Sequence, residues 1–415
     1  MSPPFRTLFF DMNSYFASVV QAEEPALRGK PVGVVTTLSA GAACIAASIE
    51  AKRCGVGMGV RVKEARALCP DITFRAAQHD VFVAYHHRIR AAVERIIPIH
   101  MAHSVDEFSC HLLGAQRDLN TALQLGRDLQ SSILQQVSPA LRCSVGVAPN
   151  KLLAKIAAEL QKPAGLNWLN TDVLPDKIGH LALKDLPGIS KGIHMRLGRA
   201  GILDVASLFA ITPKQARQIW GSVEGERFLT QLHGGVVIYP VTKRSSLGHG
   251  QMLVPANRSP DAARLVARRL LVKAGSRLRR EGYVARSLQV SFKSVDRGRR
   301  SQQGEIKATQ DTFMLLQVFD RYWQALNVQN PISVSVMLGG LCPVAQQSVD
   351  LFDTLETSDV DVAQARLKLC NLIDTLNQRF GQDTVRFGEL PPYKVPFTGA
   401  KIAFARVPDV QEFYE

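Results

Sequence analysis

The chain has 415 residues, too many for one ordinary hydrophobic core and enough for roughly two to four domains. Lys plus Arg, 50, outnumber Asp plus Glu, 36, for a formal net charge of +14, a field that attracts a phosphate backbone whatever its sequence. The seven cysteines form no CxxC pair, which argues against a zinc site. No signal-peptide pattern or apolar run of about 18–20 residues is present, so a soluble cytoplasmic protein, not a membrane one, is expected.

Residues 5–12 read as a buried strand, and a helix starts at Tyr15 with Asn13 and Ser14 as candidate caps. Lys30 to Val35 reads as a second strand. The stretch from about 36 to 62 is rich in Ala and Gly, including Gly41, Gly55, Gly57 and Gly59, and fits either room above a bound partner or ordinary tight packing and turns. A helix is predicted over 80–97, then a strand pair carrying Asp106 and Glu107, a helix over 115–138 and a third core strand over 142–148. Pro149-Asn150-Lys151 and an amphipathic helix to about Leu160 follow, and this mixture of strands and crossing helices indicates an α+β core. Segment 172–242 shows short helices and Gly turns. A linker near Pro240 to Ser246 leads into strand, helix (259–281), strand pair (284–310), helix (311–327) and strand (332–340), a β-α-β-β-α-β succession with both helices on one face. A last helix over 361–379 and a Pro-rich tail at 391–396 are not assigned to a fold.

Three carboxylates at strand ends, Asp11, Asp106 and Glu107, sit among apolar neighbours. Ionised carboxylates there need a cation, and Mg²⁺ takes a few of them while filling its octahedron with water and phosphate oxygens, so the site asks for a phosphorylated partner. Lys151, Lys155 and Lys162, with Lys52 and Arg53, supply the positive charge a triphosphate needs. Leu186-Pro187-Gly188-Ile189-Ser190, short helices and Ala200-Gly201-Ile202 have the form of a helix-hairpin-helix, whose turn offers backbone N–H groups to a phosphate; a plain helical hairpin is the bland alternative. The predicted helix 259–281 carries Arg264, Arg268, Arg269, Lys273, Arg277, Arg279 and Arg280, and the next loop adds Arg297, Arg299 and Arg300. With few acids between them, these cations favour phosphate contact over a merely solvated face.

In this order the pieces resemble the Y-family translesion DNA polymerases. Phe10-Asp11-Met12-Asn13-Ser14-Tyr15-Phe16 looks like the family's first catalytic motif and Ser104-Val105-Asp106-Glu107 its Ser-x-Asp-Glu signature. Ser144-Val145-Gly146-Val147, Asn150-Lys151, Ala154-Lys155 and Lys162-Pro163 are similar to the third palm motif. Glu50 to Gly59 and 377–387 look closer to the catalytic subunit of polymerase V, whereas the hairpin and the compact length are closer to polymerase IV. The resemblance implies a right-hand α+β fold with a palm (1–14 and 80–171), small fingers (15–79), a helical thumb with the helix-hairpin-helix (172–242), a linker (243–246), a little finger (247–345) and a tail (346–415).

It further implies two Mg²⁺ ions held by Asp11, Asp106, Glu107 and the carbonyl of Met12, and Phe16 as a steric gate against ribose. Lys52 and Lys162 would meet the nucleotide, with Gly188, Ser190, Lys191, Lys243, Arg244, Arg268, Arg299 and Arg300 on primer–template DNA. Gln347-Ser-Val-Asp-Leu351-Phe352 resembles a sliding-clamp peptide. Ile49 and Lys52 depart from a Tyr and an Arg common in polymerase IV members; Ile49 has no polar group and Lys52 offers a point charge in place of a fork. The implied enzyme is a monomer that adds deoxynucleotides to a primer with low fidelity and without proofreading, with accessory subunits left open. The rival readings are a non-catalytic DNA-binding scaffold of a mutagenesis complex and a helix-hairpin-helix glycosylase or nuclease.

Overall fold

The computed structural model describes residues 4–240, 243–296, 298–346, 357–381, 383–389 and 407–408. Two compact units divide the chain, one running to Tyr239 and the other starting at Pro240. The clamp-like residues Gln347, Leu351 and Phe352, and Arg297, lie outside the described residues. Among the described residues no helix is long and apolar enough to cross a membrane.

The first unit is built on β1 (Thr7–Met12), six buried residues at the centre of a sheet. In chain order there follow α1 (Tyr15–Glu23), β2 (Val32–Val35), β3 (Cys44–Ala47), α2 (Ile49–Arg53), α3 (Val62–Leu68), β4 (Thr73–Ala76), α4 (His79–Glu94), β5 (Ile99–Ala102), β6 (Glu107–His111), α5 (Leu119–Gln136), β7 (Cys143–Ala148), α6 (Lys151–Glu159) and β8 (Leu166–Trp168). The main sheet has the order β5-β6-β1-β7-β8, with β1 antiparallel to both β6 and β7. Side chains alternate across a strand. Leu8, Phe10 and Met12 therefore join the core that includes Ile89 of α4 and Leu129 and Ile133 of α5, whereas Phe9 joins a second core with Leu153, Ala154 and Ala157 of α6. Asp11 shares the face of Phe9, so the acids lie on the side of the sheet that α6 partly covers. Gly146, opposite Phe9, makes that seating possible. A Cβ at Gly146 would stand 1.9 Å from the Ala154 carbonyl oxygen.

The expected capping of α1 is corrected. Ser14 precedes the helix at φ 50° and makes no side-chain cap bond. Asn13 has another commitment: its side-chain nitrogen donates to Ser144 Oγ at 3.0 Å and its oxygen accepts from the Ala164 N–H at 2.7 Å. The Ala- and Gly-rich stretch forms a small sheet, β3-β2-β4, over its own core of Val35, Ala51, Val62, Ala65 and Phe74. Tight packing does not account for its glycines. A Cβ at Gly41 or Gly57 would meet nothing within 4 Å, and Gly55 and Gly59 sit at φ 84° and 90°, where a side chain would be strained.

The rest of this unit is helical: α7 (Lys191–Arg199), α8 (Val205–Ala210), α9 (Pro213–Trp220) and α10 (Val223–Leu232). Leu197, Ile202, Val205, Leu208, Phe228 and Leu229 pack in the same cluster as the buried face of α6. Between Ser190 and Ala200, where two short helices were expected, there is one, α7, and a 3₁₀ turn at Leu183–Asp185 precedes the Gly188 turn.

The second unit comprises β9 (Ser246–Met252), α11 (Pro260–Arg280), β10 (Tyr283–Ser294), β11 (Gly298–Thr309), α12 (Thr312–Leu326), β12 (Pro331–Gly339), β13 (Cys342–Pro343) and α13 (Thr357–Phe380). Its antiparallel sheet has the order β11-β10-β12-β9, and one face carries Leu288, Val290, Phe292, Val334 and Val336 into a core with α11 and α12. The opposite face is polar, with cross-strand pairs Lys293 and Arg299, Ser291 and Ser301, Gln289 and Gln303.

Here the structure corrects the basic-helix expectation. Arg264 and Arg268 both pair with Asp320 of α12, at 2.7 and 3.0 Å, and Arg269 pairs with Asp383 at 2.7 Å. Arg277 pairs with Glu281 at 2.9 Å, and Arg279, whose side chain is 3% exposed, holds Asp374 of α13 at 2.7 and 2.9 Å. These arginines join elements of one unit; apart from Glu281, the carboxylates that meet them come from distant segments.

Candidate active site

Register alone brings the first two acids together: Asp11 of β1 lies directly opposite Glu107 of β6, and opposite Ser144 of β7 on its other side. Residues so paired project from the same face. Asp106 precedes β6, and its main-chain oxygen accepts from the Met12 N–H at 2.9 Å, which ties the loop to the end of β1. The loop is a tight turn. The His103 N–H reaches the Glu107 carbonyl at 2.8 Å, and Ser104 Oγ accepts from the Glu107 N–H at 3.0 Å while its hydroxyl donates to the Asp106 carboxylate. All three acids are thus fixed by backbone pairing at one end of the sheet.

Lysines stand on two of them. Lys162 Nζ lies 2.8 Å from Asp11 Oδ1 and 2.7 Å from Glu159 Oε1, and Lys155 Nζ lies 2.6 Å from Glu107 Oε1. Asn13 positions the first of these, since it grips the Ala164 N–H two residues beyond Lys162. Burial lifts the Asp11 carboxyl to about 7 against the pull of Lys162, and burial likewise raises Asp106. At both acids burial outweighs the nearby Lys162 ammonium. Among the described residues no three acidic, His or Cys side chains already surround a single point. The oxygen-only donor set and the raised carboxyls nevertheless fit a hard divalent cation, once the flexible lysine stems turn aside.

Lys52 has an exposed side chain on α2, yet neighbouring atoms partly desolvate its ammonium; that and then the neighbouring Lys162 lower its pKa, and Asp11 and Glu159 oppose them. The structure therefore divides the sequence's single lysine cluster. Lys52 and Lys162 share the surroundings of Asp11, while Lys151 and Lys155 flank Glu107. Phe16, half-buried, stacks on Phe82 with ring centroids 4.3 Å apart and meets the edge of His79 at 6.3 Å. Tyr15 is the buried neighbour, its hydroxyl donating to the Phe82 carbonyl at 2.6 Å. Ile49 opens α2, where Ser48 caps it by accepting from the Ala51 N–H.

The hairpin turn faces this site. Gly188 has φ 95°, Ser190 caps α7 by accepting from the Ile193 N–H at 3.4 Å, and an open cleft of about 490 Å³ is lined by Glu107, Lys155, Lys184, Gly188 and Ser190. Lys191 and Lys243 are exposed. Of the other expected DNA contacts, Arg244 is drawn into a pair with Glu281, and Arg268 is held by Asp320 and the Phe387 carbonyl. Arg299 and Arg300 fall on opposite faces of β11: Arg299 pairs with Lys293 on the polar face, and Arg300 pairs with Phe292 on the helix side. Sequence reasoning missed the Asn13 tether, the Glu159 arm of the Lys162 pair and the Phe82 support of Phe16. Only Glu159, three residues before Lys162 at helical spacing, left a readable signal.

Residues 10–159 match the impB/mucB/samB family and 244–351 match that family's C-terminal domain. The chain is 31% identical over 399 residues to the DNA polymerase IV of Pelotomaculum thermopropionicum, covering 91% of this chain and 93% of that protein. It is also 31% identical to the DNA polymerase IV of Moorella thermoacetica, covering 96% and 97%. In fold it is similar to a Y-family DNA polymerase chimera of Dbh and Dpo4, with a TM-score of 0.67, 21% identity, and coverage of 81% of this chain and 99% of that one. An insertion ternary complex of Dbh DNA polymerase gives a TM-score of 0.56 at 22% identity, with the same coverage.

Proposed function

The chain belongs to the impB/mucB/samB family of Y-family translesion DNA polymerases, and from that membership we propose how its own residues divide the work of extending a primer on a DNA template. Asp11, Asp106, Glu107 and the Met12 carbonyl are the groups that would hold two Mg²⁺ ions. Bound there, the metals would activate the primer 3′-hydroxyl and neutralise the leaving pyrophosphate. The observation that carries the reading is the register of Asp11 on Glu107, with Asp106 tied beside them through Met12.

Lys162 and Lys52 meet the incoming triphosphate, Lys162 leaving Asp11 as the phosphates bring stronger anionic partners. Phe16, backed by Phe82, sets the floor against which a ribose 2′-hydroxyl would clash. Ser104 keeps Asp106 oriented through its short hydroxyl contact. Ile49 has no polar atom for the triphosphate, so binding depends more on Lys162. Gly188, Ser190 and Lys191 offer N–H groups and charge to duplex phosphates, Lys243 in the linker adds a cation, and Lys293 with Arg299 give the polar sheet face its positive charge. Gln347, Leu351 and Phe352 would dock on a sliding clamp, raising the effective concentration at the primer end. The open glycine positions at 41 and 57 support loose inspection of the template base, hence tolerance of lesions and low fidelity. Copying chromosomal DNA sets the work in the cytoplasm.

Primer extension with Mg²⁺ on undamaged and abasic templates, with Asp106→Ala beside the wild type, tests the assignment. Extension by the wild type that the variant loses is expected. Equal behaviour of the two, whether inert binding or strand cutting, would sink it.

A further inference from the structure

We propose that Lys155 is a positioning residue that keeps Glu107 from the metal until the phosphate at the primer's 3′ end draws its ammonium away, so that primer seating and metal acquisition are linked. The proposal rests on the polymerase reading given above. Lys155 Nζ sits 2.6 Å from Glu107 Oε1, which leaves that oxygen engaged by a cation before any metal arrives. The ammonium also lies 5.6 Å from the Phe9 ring centre, so an aromatic face steadies it on the sheet side.

Two clefts meet at this side chain. One, about 490 Å³, runs to Lys184, Gly188 and Ser190; the other, about 340 Å³, is lined by Lys151, Pro187, Gly188, Trp220 and Phe228. The first cleft sets Lys155 and Lys184 beside Glu107, Glu159 and Asp185, and the second sets Lys151 and Lys155 beside Glu224; Glu159 is held by Lys162 and Glu224 by Arg227. An anion entering from the hairpin side meets Lys151 and Lys155; burial lowers the pKa of Lys151 first, and repulsion from Lys155 adds to it. A phosphate there relieves that repulsion and competes with Glu107 for Lys155. The four-carbon stem lets the ammonium follow it without moving α6.

Lys162 has a different position. It holds Asp11 and Glu159 together, on the side shared with Lys52, so a triphosphate, not the primer, would displace it. Each engaged acid is thus freed by a separate phosphate.

The test is Mn²⁺ binding measured by electron paramagnetic resonance on the full chain, alone and with a 3′-dideoxy-terminated primer–template, corrected for metal bound by the DNA alone. Native DNA should tighten metal binding about fivefold or more, the usual scale of a coupling between sites. A primer whose last internucleotide linkage is a neutral methylphosphonate should tighten it less than about twofold. Lys155→Met should bind metal more tightly without DNA and respond to neither primer, and Lys155→Arg should restore the response. Linkage is reciprocal, so Mn²⁺ must raise wild-type affinity for native DNA by the same factor, read by fluorescence anisotropy. Equal tightening by both primers on the wild type overturns the proposal, whatever the variants do. Wild-type extension without linkage would remove the gate and leave the polymerase reading standing, whereas no extension at all would remove both.

Discussion

Gly146→Ala is the substitution for which the structure dictates the largest response in the support of the site. The added methyl would stand 1.9 Å from the Ala154 carbonyl oxygen, 2.5 Å from the Ala158 nitrogen and 2.9 Å from the Ala157 Cβ. The first two are main-chain atoms of a hydrogen-bonded helix and cannot rotate aside. To restore ordinary contact α6 must lift by roughly 1.5 Å. That would loosen Leu153, Ala154, Ile156, Ala157 and Ala158, all buried. Overpacking costs about 1–3 kcal/mol where side chains can yield, so backbone on both sides puts this case at about 3 kcal/mol or above. Gly126→Ala is the internal control. Its nearest obstruction, at 2.6 Å, is the flexible end of Leu166, and Ala in a helix recovers up to about 1 kcal/mol over Gly. Urea unfolding of both variants should show a large fall in midpoint for Gly146→Ala and little change for Gly126→Ala. Because Lys155 rides on α6, primer extension should fall in the first variant even where it remains folded. Equal midpoints for the two would refute the claim that α6 rests on the sheet backbone.

Phe16→Ala should raise insertion of ribonucleotides relative to deoxynucleotides by about 100-fold, the scale of shape discrimination in a pocket, as measured by single-nucleotide insertion kinetics; an unchanged ratio would mean the ring is only a core residue on Phe82. Asp374→Ala should cost about 3 kcal/mol in unfolding free energy, because Arg279 would be left buried without its carboxylate. The low end of the range applies, since Arg279 keeps the Gln310 carbonyl and Thr312 hydroxyl. A change under about 1 kcal/mol would show that α13 is held by other contacts. Burial lowers the His103 pKa from 6.5 to about 4, so folding excludes its proton. Its stability contribution is complete above 6.5 and is lost as pH falls toward 4, amounting to at most about 2 kcal/mol between pH 8 and pH 5. His103→Gln should flatten that part of the stability–pH curve, and an unchanged slope would assign it to other groups.

The strand pattern of 5–12, 142–148 and the Ser104-Val105-Asp106-Glu107 run made the acids legible, because each lies at the end of an apolar stretch and period-two alternation sets its face. What failed was every inference that needed a partner's identity. Asn13 has the right chemistry for a cap, yet Ser144 and Ala164, both more than 130 residues away, bind it instead. The run of arginines on α11 looked unopposed because Asp320, Asp374 and Asp383 are remote in sequence. Charge spacing reports which cations share a face, but not whether a carboxylate from elsewhere closes over it. Arg300 parts from Arg299 for a more local reason: adjacent residues of a strand cannot serve the same surface.

The same limit explains the lysines. Sequence spacing groups Lys151, Lys155 and Lys162 as one cationic cluster for a triphosphate, since all three follow β7 between positions 151 and 162. Lys151 and Lys155 are four apart on α6 and share its side toward Glu107, whereas Lys162 lies past the helix end, where the Asn13 tether brings the chain back to Asp11. One helix terminus therefore separates two anion-binding duties that the sequence presents as one. A nucleotide that entered first could free Asp11 but not Glu107, and a primer alone could free Glu107 but not Asp11. Both acids become available together only when both substrates are seated, so the metal-dependent chemistry would wait for a complete complex without any large movement of the fold.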